Sequence, residues 1–200
     1  MGIRVIAGTA RGRRLKLVPG DSTRPIMDRV KEALFSILGH GIIDSTFLDL
    51  FAGTGSVGIE ALSRGAAQAV MLDLDRRAIE TIHDNVRAAK VEERAVVRRG
   101  DAFAFLDQPP RAPFNYIFIA PPQYNGLWKR ALLLLDARPA WLDDETTVIV
   151  QIDPSEREPL ELKHLILDDE RKYGKTLLLF FSLAPAAEPA APDLSQASSS

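Results

Sequence analysis

The segment Asp49-Leu50-Phe51-Ala52-Gly53-Thr54-Gly55-Ser56-Val57-Gly58 constrains this chain more than any other. An apolar run precedes it and a helical pattern follows, so its glycines must turn the backbone sharply between a strand and a helix. Such a turn lets the backbone approach a ligand closely, while the helix points free N–H groups over the strand end. From residue 46 onward, apolar runs and helical patterns alternate. Strands are expected at 46–50, 69–72, 95–98, 116–120 and 147–151, and helices at 57–64, 76–89, 102–106 and 127–135. That alternation predicts an α/β fold, a parallel sheet with helices on both faces. Beyond it, 162–167 and 176–183 read as an antiparallel pair at the sheet edge, joined through charged residues and Gly174. Upstream, 3–7 and 15–18 suggest a short hairpin or arm. Residues 25–38 read as a helix, with Pro25 in its first turn and Val30, Ala33, Leu34, Ile37 and Leu38 at helical spacing.

At 200 residues the chain has the length of one domain with a full core. Residues 1–183 are expected to form it, with 1–40 as the N-terminal hairpin and helix. Residues 184–200, rich in Ala, Pro and Ser, read as a disordered tail that cannot bury enough apolar surface to offset its ordering entropy. The absence of cysteine excludes disulfides, thiolate metal sites and cysteine nucleophiles. His40, His83 and His164 are not paired at ligand spacing, so no metal is expected. No stretch has the length and apolarity of a signal peptide core or a membrane span, and a cytoplasmic location is expected. The net charge of −2 conceals an asymmetry: the first 31 residues carry eight basic side chains against Asp21 and Asp28, a balance of +6. A basic end on an acidic body fits a polyanion, and equally fits a solubilising surface.

Gly53, Gly55 and Gly58 also satisfy the G-x-G-x-x-G dinucleotide fingerprint, so the loop alone admits a nicotinamide oxidoreductase. Three acids favour an adenosyl ligand instead. Asp49, at the end of the first strand, suits a cationic amino acid moiety and would repel a pyrophosphate. Asp73 closes the second strand, where it suits the two ribose hydroxyls. Asp101 follows the third strand, where it suits an adenine amino group. Acids at three successive strand ends occupy the place where open α/β sheets bind ligands. Asp75 is the competing ribose acceptor, ranked second as a helix cap. The expected cofactor contacts are Asp49, Phe51, Ala52, Gly53, Thr54, Gly55, Asp73, Leu74, Asp101 and Ala102, although Phe51 also reads as packing under the loop.

From about Arg4 to Phe181 the chain resembles the RsmD family, methyltransferases that modify the exocyclic N2 of a guanine in 16S ribosomal RNA. The resemblance is carried by Arg11-Gly12-Arg13-Arg14-Leu15, by Arg24-Pro25-Ile26-Met27-Asp28-Arg29-Val30-Lys31-Glu32-Ala33-Leu34-Phe35 and by the glycine loop. Glu60-Ala61-Leu62-Ser63-Arg64-Gly65, Pro121-Pro122 and Tyr173-Gly174-Lys175-Thr176 complete it. It implies a doubly wound, seven-stranded, mainly parallel sheet whose last strand is antiparallel, preceded by an N-terminal hairpin and helix. It also implies S-adenosylmethionine as cofactor and 16S ribosomal RNA as substrate, within a small-subunit particle, for a monomeric enzyme. Arg11, Arg13, Arg14, Arg24 and Arg29 are the candidate RNA contacts, or else a solvated face.

The family's catalytic motif is Asp- or Asn-Pro-Pro followed directly by an aromatic residue. Its acid or amide oxygen accepts a hydrogen bond from the target amine, and the ring stacks on the flipped base. Here the motif reads Ala120-Pro121-Pro122-Gln123-Tyr124: the side-chain acceptor is missing and the aromatic lies one place later. Three readings follow. Backbone carbonyls of Ala120 and Pro121 suffice, with Gln123 supplying an amide oxygen and Tyr124 the stacking; the target atom differs; or the protein binds RNA with little catalysis.

Overall fold

The computed structural model describes residues 2–20 and 26–185. Residue pairs Ile3–Arg4 (β1) and Arg14–Leu15 (β2) form an antiparallel hairpin, shorter than the alternation suggested. Val5 N–H still bonds the Arg13 carbonyl, but Gly8 and Gly12 then turn the chain at positive φ. Helix α1 (Asp28–Leu38) buries Val30, Lys31, Leu34 and Phe35 on one face. It starts at Asp28, after an extended Met27, and Arg24 and Pro25 lie outside the described residues.

The alternating region follows its expected boundaries within about two residues: β3 (Thr46–Asp49), α2 (Ser56–Ser63), β4 (Gln68–Asp73), α3 (Arg76–Ala89), β5 (Ala95–Arg99), α4 (Ala102–Leu106), β6 (Tyr116–Ile119), α5 (Leu127–Asp136) and β7 (Thr147–Ile152). Then come β8 (Leu165–Tyr173) and β9 (Thr176–Leu183). The seven strands lie in the order β5-β4-β3-β6-β7-β9-β8, with β3 to β7 parallel and β9 antiparallel to both of its neighbours. The last strand is therefore inserted beside β7, and β8 forms the edge. Strand β8 extends well beyond its apolar run because Asp168 to Lys172 are exposed or only partly covered on that edge, where charges deter pairing with other chains.

Two apolar layers sandwich the sheet. Val30, Leu34, Val57, Ile59, Ile82 and Val86 cover one face, against Phe47, Phe118, Ile149 and Leu178. Phe103, Leu106, Trp128, Leu132 and Trp141 cover the other, against Leu48, Ile117, Val150 and Leu179. A buried ion pair sits inside the first layer. Glu60 of α2 is fully buried; its carboxylate accepts from the Ile6 and Ala7 amides at 2.8 and 3.0 Å and from Arg64 at 2.8 Å. Lys31 Nζ lies 3.4 Å from it and donates to the Arg4 carbonyl at 2.7 Å. Burial pulls the Lys31 pKa below its ordinary value, opposed by the Glu60 charge.

Desolvating two charges consumes most of their attraction, so such a pair adds little net stability, whereas removing one partner strands the other. Glu60→Ala is therefore expected to cost about 3–5 kcal/mol in urea unfolding. Lys31→Met should cost less, because Arg64 and two amides still serve Glu60. Equal and negligible losses for both would show that the pair does not hold the arm.

Candidate active site

The direction of strand addition reverses between β3 and β6, which opens a crevice at the carboxyl ends of the parallel strands. Asp49, Asp73, Asp101 and Ala120 all stand at or just beyond those ends. The glycine loop rises from β3 into α2. Gly53 and Gly55 have φ of +55° and +75°, a region costly for side-chain-bearing residues. A Cβ at Gly53 would meet nothing within 4 Å, so the space above it is open to a ligand. The loop is tied down from below: Ala52 N–H bonds the Leu72 carbonyl, and Asn85 Nδ2 bonds the Thr54 carbonyl at 2.8 Å.

Asp49 is 1% exposed, and its Oδ1 has no hydrogen-bond partner. Burial pushes its pKa up to about 7; the nearby Asp73 charge adds to this, while the Phe51 amide opposes it. A buried acceptor without a donor is costly unless something arrives to satisfy it. A cationic amino group fits that need. Asp73 accepts from Gly53 N–H at 2.8 Å and Asp75 N–H at 2.9 Å, so it fixes the loop and still has lone pairs for hydroxyl donors. Beside it Leu74 is 63% exposed, an apolar surface for a planar ring. Asp75 caps α3 through the Arg77 amide. Asp101 caps α4, its Oδ1 taking the Phe103 and Ala104 amides, and it remains exposed. Ala102 is buried, and Phe51 packs edge-on against Phe103 at 6.1 Å between ring centres.

The motif loop follows β6. Ala120 packs against the first core layer, Pro121 is buried, and Pro122 and Gln123 are exposed. Tyr124 is 68% exposed and has φ of +65°. Its amide donates to Glu156 Oε1 at 2.7 Å and its hydroxyl to Asp153 Oδ2 at 3.1 Å. The loop after β7 thus latches the aromatic residue in place, and a non-glycine residue held at positive φ marks a site where neighbours over-determine the backbone.

Sequence reasoning missed Asp153 and Glu156, whose contacts span 29 and 32 positions. It also missed Asn85, which accepts from Lys16 N–H at 2.6 Å and donates to the Lys16 carbonyl as well as to Thr54. One amide side chain therefore joins the basic arm to the glycine loop. Arg11, Arg13, Arg14 and Arg29 are exposed, and Arg24 lies outside the described residues. Among the described residues no cluster of His, Asp or Glu has the arrangement of a metal site, and no helix is long and apolar enough to cross a membrane.

A family model described as conserved hypothetical protein 95 matches residues 3–182. "Ribosomal RNA small subunit methyltransferase D" of Escherichia coli K12 is 39% identical over 149 residues, 74% of each chain. The Haemophilus influenzae protein of the same name is 38% identical over 153 residues, 76% of this chain and 79% of that protein. Among solved structures, "Putative methyltransferase yhhF" from Escherichia coli superposes with a TM-score of 0.80 at 34% identity, covering 92% of this chain and 98% of that one.

The raised Asp49 pKa yields a binding prediction with a definite sign. Below about pH 7 the carboxyl of the free protein is protonated and must release its proton to pair with an ammonium group. S-adenosylhomocysteine should thus bind about tenfold more weakly at pH 6 than at pH 8, with proton release visible in calorimetry across buffers of different ionisation enthalpy. Asp49→Asn should lose that pH dependence. A flat affinity profile in the parent protein would separate Asp49 from the ligand. Asp73→Ala should also weaken binding at least tenfold, since it loses charged hydrogen bonds worth about 1.5–3 kcal/mol each.

Proposed function

The chain belongs to the conserved hypothetical protein 95 family, the RsmD family, and we propose that it is an S-adenosylmethionine-dependent methyltransferase of small-subunit ribosomal RNA whose target is the exocyclic N2 of a guanine. The unsatisfied Oδ1 of the buried Asp49 carboxylate at the strand-order reversal carries the cofactor reading. It rejects the pyrophosphate of a nicotinamide dinucleotide and suits the ammonium of an amino acid moiety. Asp73 serves the ribose, and Leu74, Asp101 and Ala102 border the adenine. When bound, the cofactor would supply an electrophilic methyl on a sulfonium that keeps the S–C electron pair, and the methylated nitrogen's surplus proton would pass to water. The chain's share is to aim the nitrogen lone pair along the S–C axis and to accept its N–H bonds as positive charge develops. Pro121 and Pro122 shape the base pocket, Tyr124 supplies the stacking face, and Gln123 and the backbone carbonyls of Ala120 and Pro121 offer acceptors.

The basic arm, including Arg11, Arg13, Arg14, Arg24 and Arg29, contacts the RNA backbone. Support comes from Asn85, which fixes Lys16 against the glycine loop so that a strand held on the arm passes the crevice. The substrate is the RNA in a small-subunit particle, acted on by a monomer in the cytoplasm. Residues 1–183 act as one methyltransferase domain.

Labelled S-adenosylmethionine incubated with small-subunit particles from cells lacking this enzyme tests the reading. Label on a guanine N2 of the small-subunit RNA is the expected outcome. RNA binding without label transfer would favour an assembly protein of methyltransferase fold, the reading that Ala120 keeps open. In the same assay, reversing Arg11, Arg13 and Arg14 to glutamate should weaken RNA association and flatten its salt dependence while cofactor affinity survives. Unchanged low-salt RNA affinity would make the arm a solvated surface.

A further inference from the structure

Only two buried side-chain polar atoms lack a hydrogen-bond partner among the described residues: Oδ1 of Asp49 and Oε1 of Gln151. The first belongs to the cofactor reading; the second has no structural employment. Gln151 lies in β7, next to β6, which in turn lies next to β3. Along β7, Ile149 joins the first core layer while Val148, Val150 and Ile152 join the second, so Gln151 faces the first layer. Along β6, Phe118 and Ala120 face that same layer. Along β3, Phe47 faces it, and by alternation so does Asp49. Ile119 pairs with Val150, the last pair of the β6–β7 register, and continuing that register by one step brings Ala120 opposite Gln151, with the strands about 5 Å apart. Gln151 therefore stands beside Ala120 on the face that also carries Asp49, which lies across β6 at the level of Phe118, two residues before Ala120.

Resting on the methyltransferase reading, we propose that Gln151 is a catalytic residue: its Oε1 accepts a hydrogen bond from the target amine in place of the side-chain acceptor that Ala120 lacks. A glutamine side chain on the neighbouring strand has the reach to cover the space over a single methyl group. An exocyclic amine has two N–H bonds: Gln151 accepts one, and the motif loop, through a backbone carbonyl or Gln123, accepts the other. An amide oxygen is too weak a base to keep the proton, so after transfer the proton leaves the methylated nitrogen for water.

The test is a set of variants assayed for label transfer to small-subunit particles, with S-adenosylhomocysteine affinity and thermal stability measured alongside. Gln151→Leu keeps the size and removes the acceptor. It should lower kcat by roughly tenfold to a thousandfold, the range for losing one aligned polar group, with KM and S-adenosylhomocysteine affinity unchanged within about twofold. Its Tm should stay level or rise, because an orphaned polar atom is replaced by an apolar one. Adding Ala120→Asn to Gln151→Leu should recover at least a tenfold part of the loss by returning an acceptor to the neighbouring position. A Gln151→Leu enzyme turning over at the parent rate overturns the assignment while leaving the methyltransferase reading intact. So does a loss of kcat accompanied by a fall in Tm and no rescue, which marks a structural residue. A parent protein that transfers no label at all overturns both readings together.

Discussion

The carboxylate of Glu60 is the interaction on which the arrangement of this molecule depends. It sits in the middle of α2, fully buried, and gathers the Ile6 and Ala7 amides, the Lys31 ammonium and the Arg64 guanidinium. Three stretches of chain far apart in sequence therefore meet at one charge: the N-terminal arm, α1 and the helix whose first turn is the glycine loop. Apolar packing holds surfaces together with little preference for one register. A buried charge has a narrow set of solutions, since any displacement leaves it or a donor unsatisfied. Ser63 adds to the fixation from the last turn of α2, where its hydroxyl donates to the Ala7 carbonyl and accepts from the Ala10 amide.

The consequence reaches the crevice. Because α2 is capped by Gly55 and carries Glu60 in its middle and Ser63 in its last turn, the cofactor loop is fixed to one end of a short helix and the arm to its middle and other end. Asn85 closes the circuit from α3, bonded to Lys16 on one side and Thr54 on the other. Ligand-binding loops commonly come from the less stable parts of a fold. This one is pinned by Leu72, Asp73 and Asn85.

Much of this was legible in the chain. Strand and helix positions from β3 to β7 follow from apolar runs and helical periodicity because both faces of the sheet are covered, so each strand announces itself as nearly continuous apolar sequence. Strand β8 was legible only in part, since an edge strand with charges at Asp168, Asp169, Glu170, Arg171 and Lys172 looks like a loop to an apolar count. Asp75 was read as a cap and is one; Asp101 was read as a ligand acid, and the structure shows it capping α4, because an acid just before a helix satisfies both patterns. Glu60 carried a signal that went unused: a lone charge in a short helix whose neighbours Val57, Ile59, Ala61 and Leu62 leave it no polar side. Asn85, Asp153 and Glu156 carried none, because their partners lie tens of residues away and only the closed sheet brings them together.

Gln151 belongs between these cases, and it shows what a substituted motif means in a sheet. Reading position 120 alone, the exchange of an acid or amide for alanine removes an acceptor and suggests a disabled site. Reading across the strands, the same small side chain clears the space over β6 into which a residue of β7 can extend. Sheet register makes such relocation geometrically natural, since the ends of adjacent parallel strands present side chains of one face in a row about 5 Å apart. It also carries a thermodynamic signature. An acceptor that bonds substrate alone stays unsatisfied in the free protein, and a buried unpaired carbonyl costs about 1–3 kcal/mol. A fold under selection for stability alone would fill such a position with an aliphatic side chain, as β7 does on the same face at Ile149. The cost persists at Gln151 and Asp49, on the strands either side of β6 and near the carboxyl ends at which open α/β sheets bind their ligands.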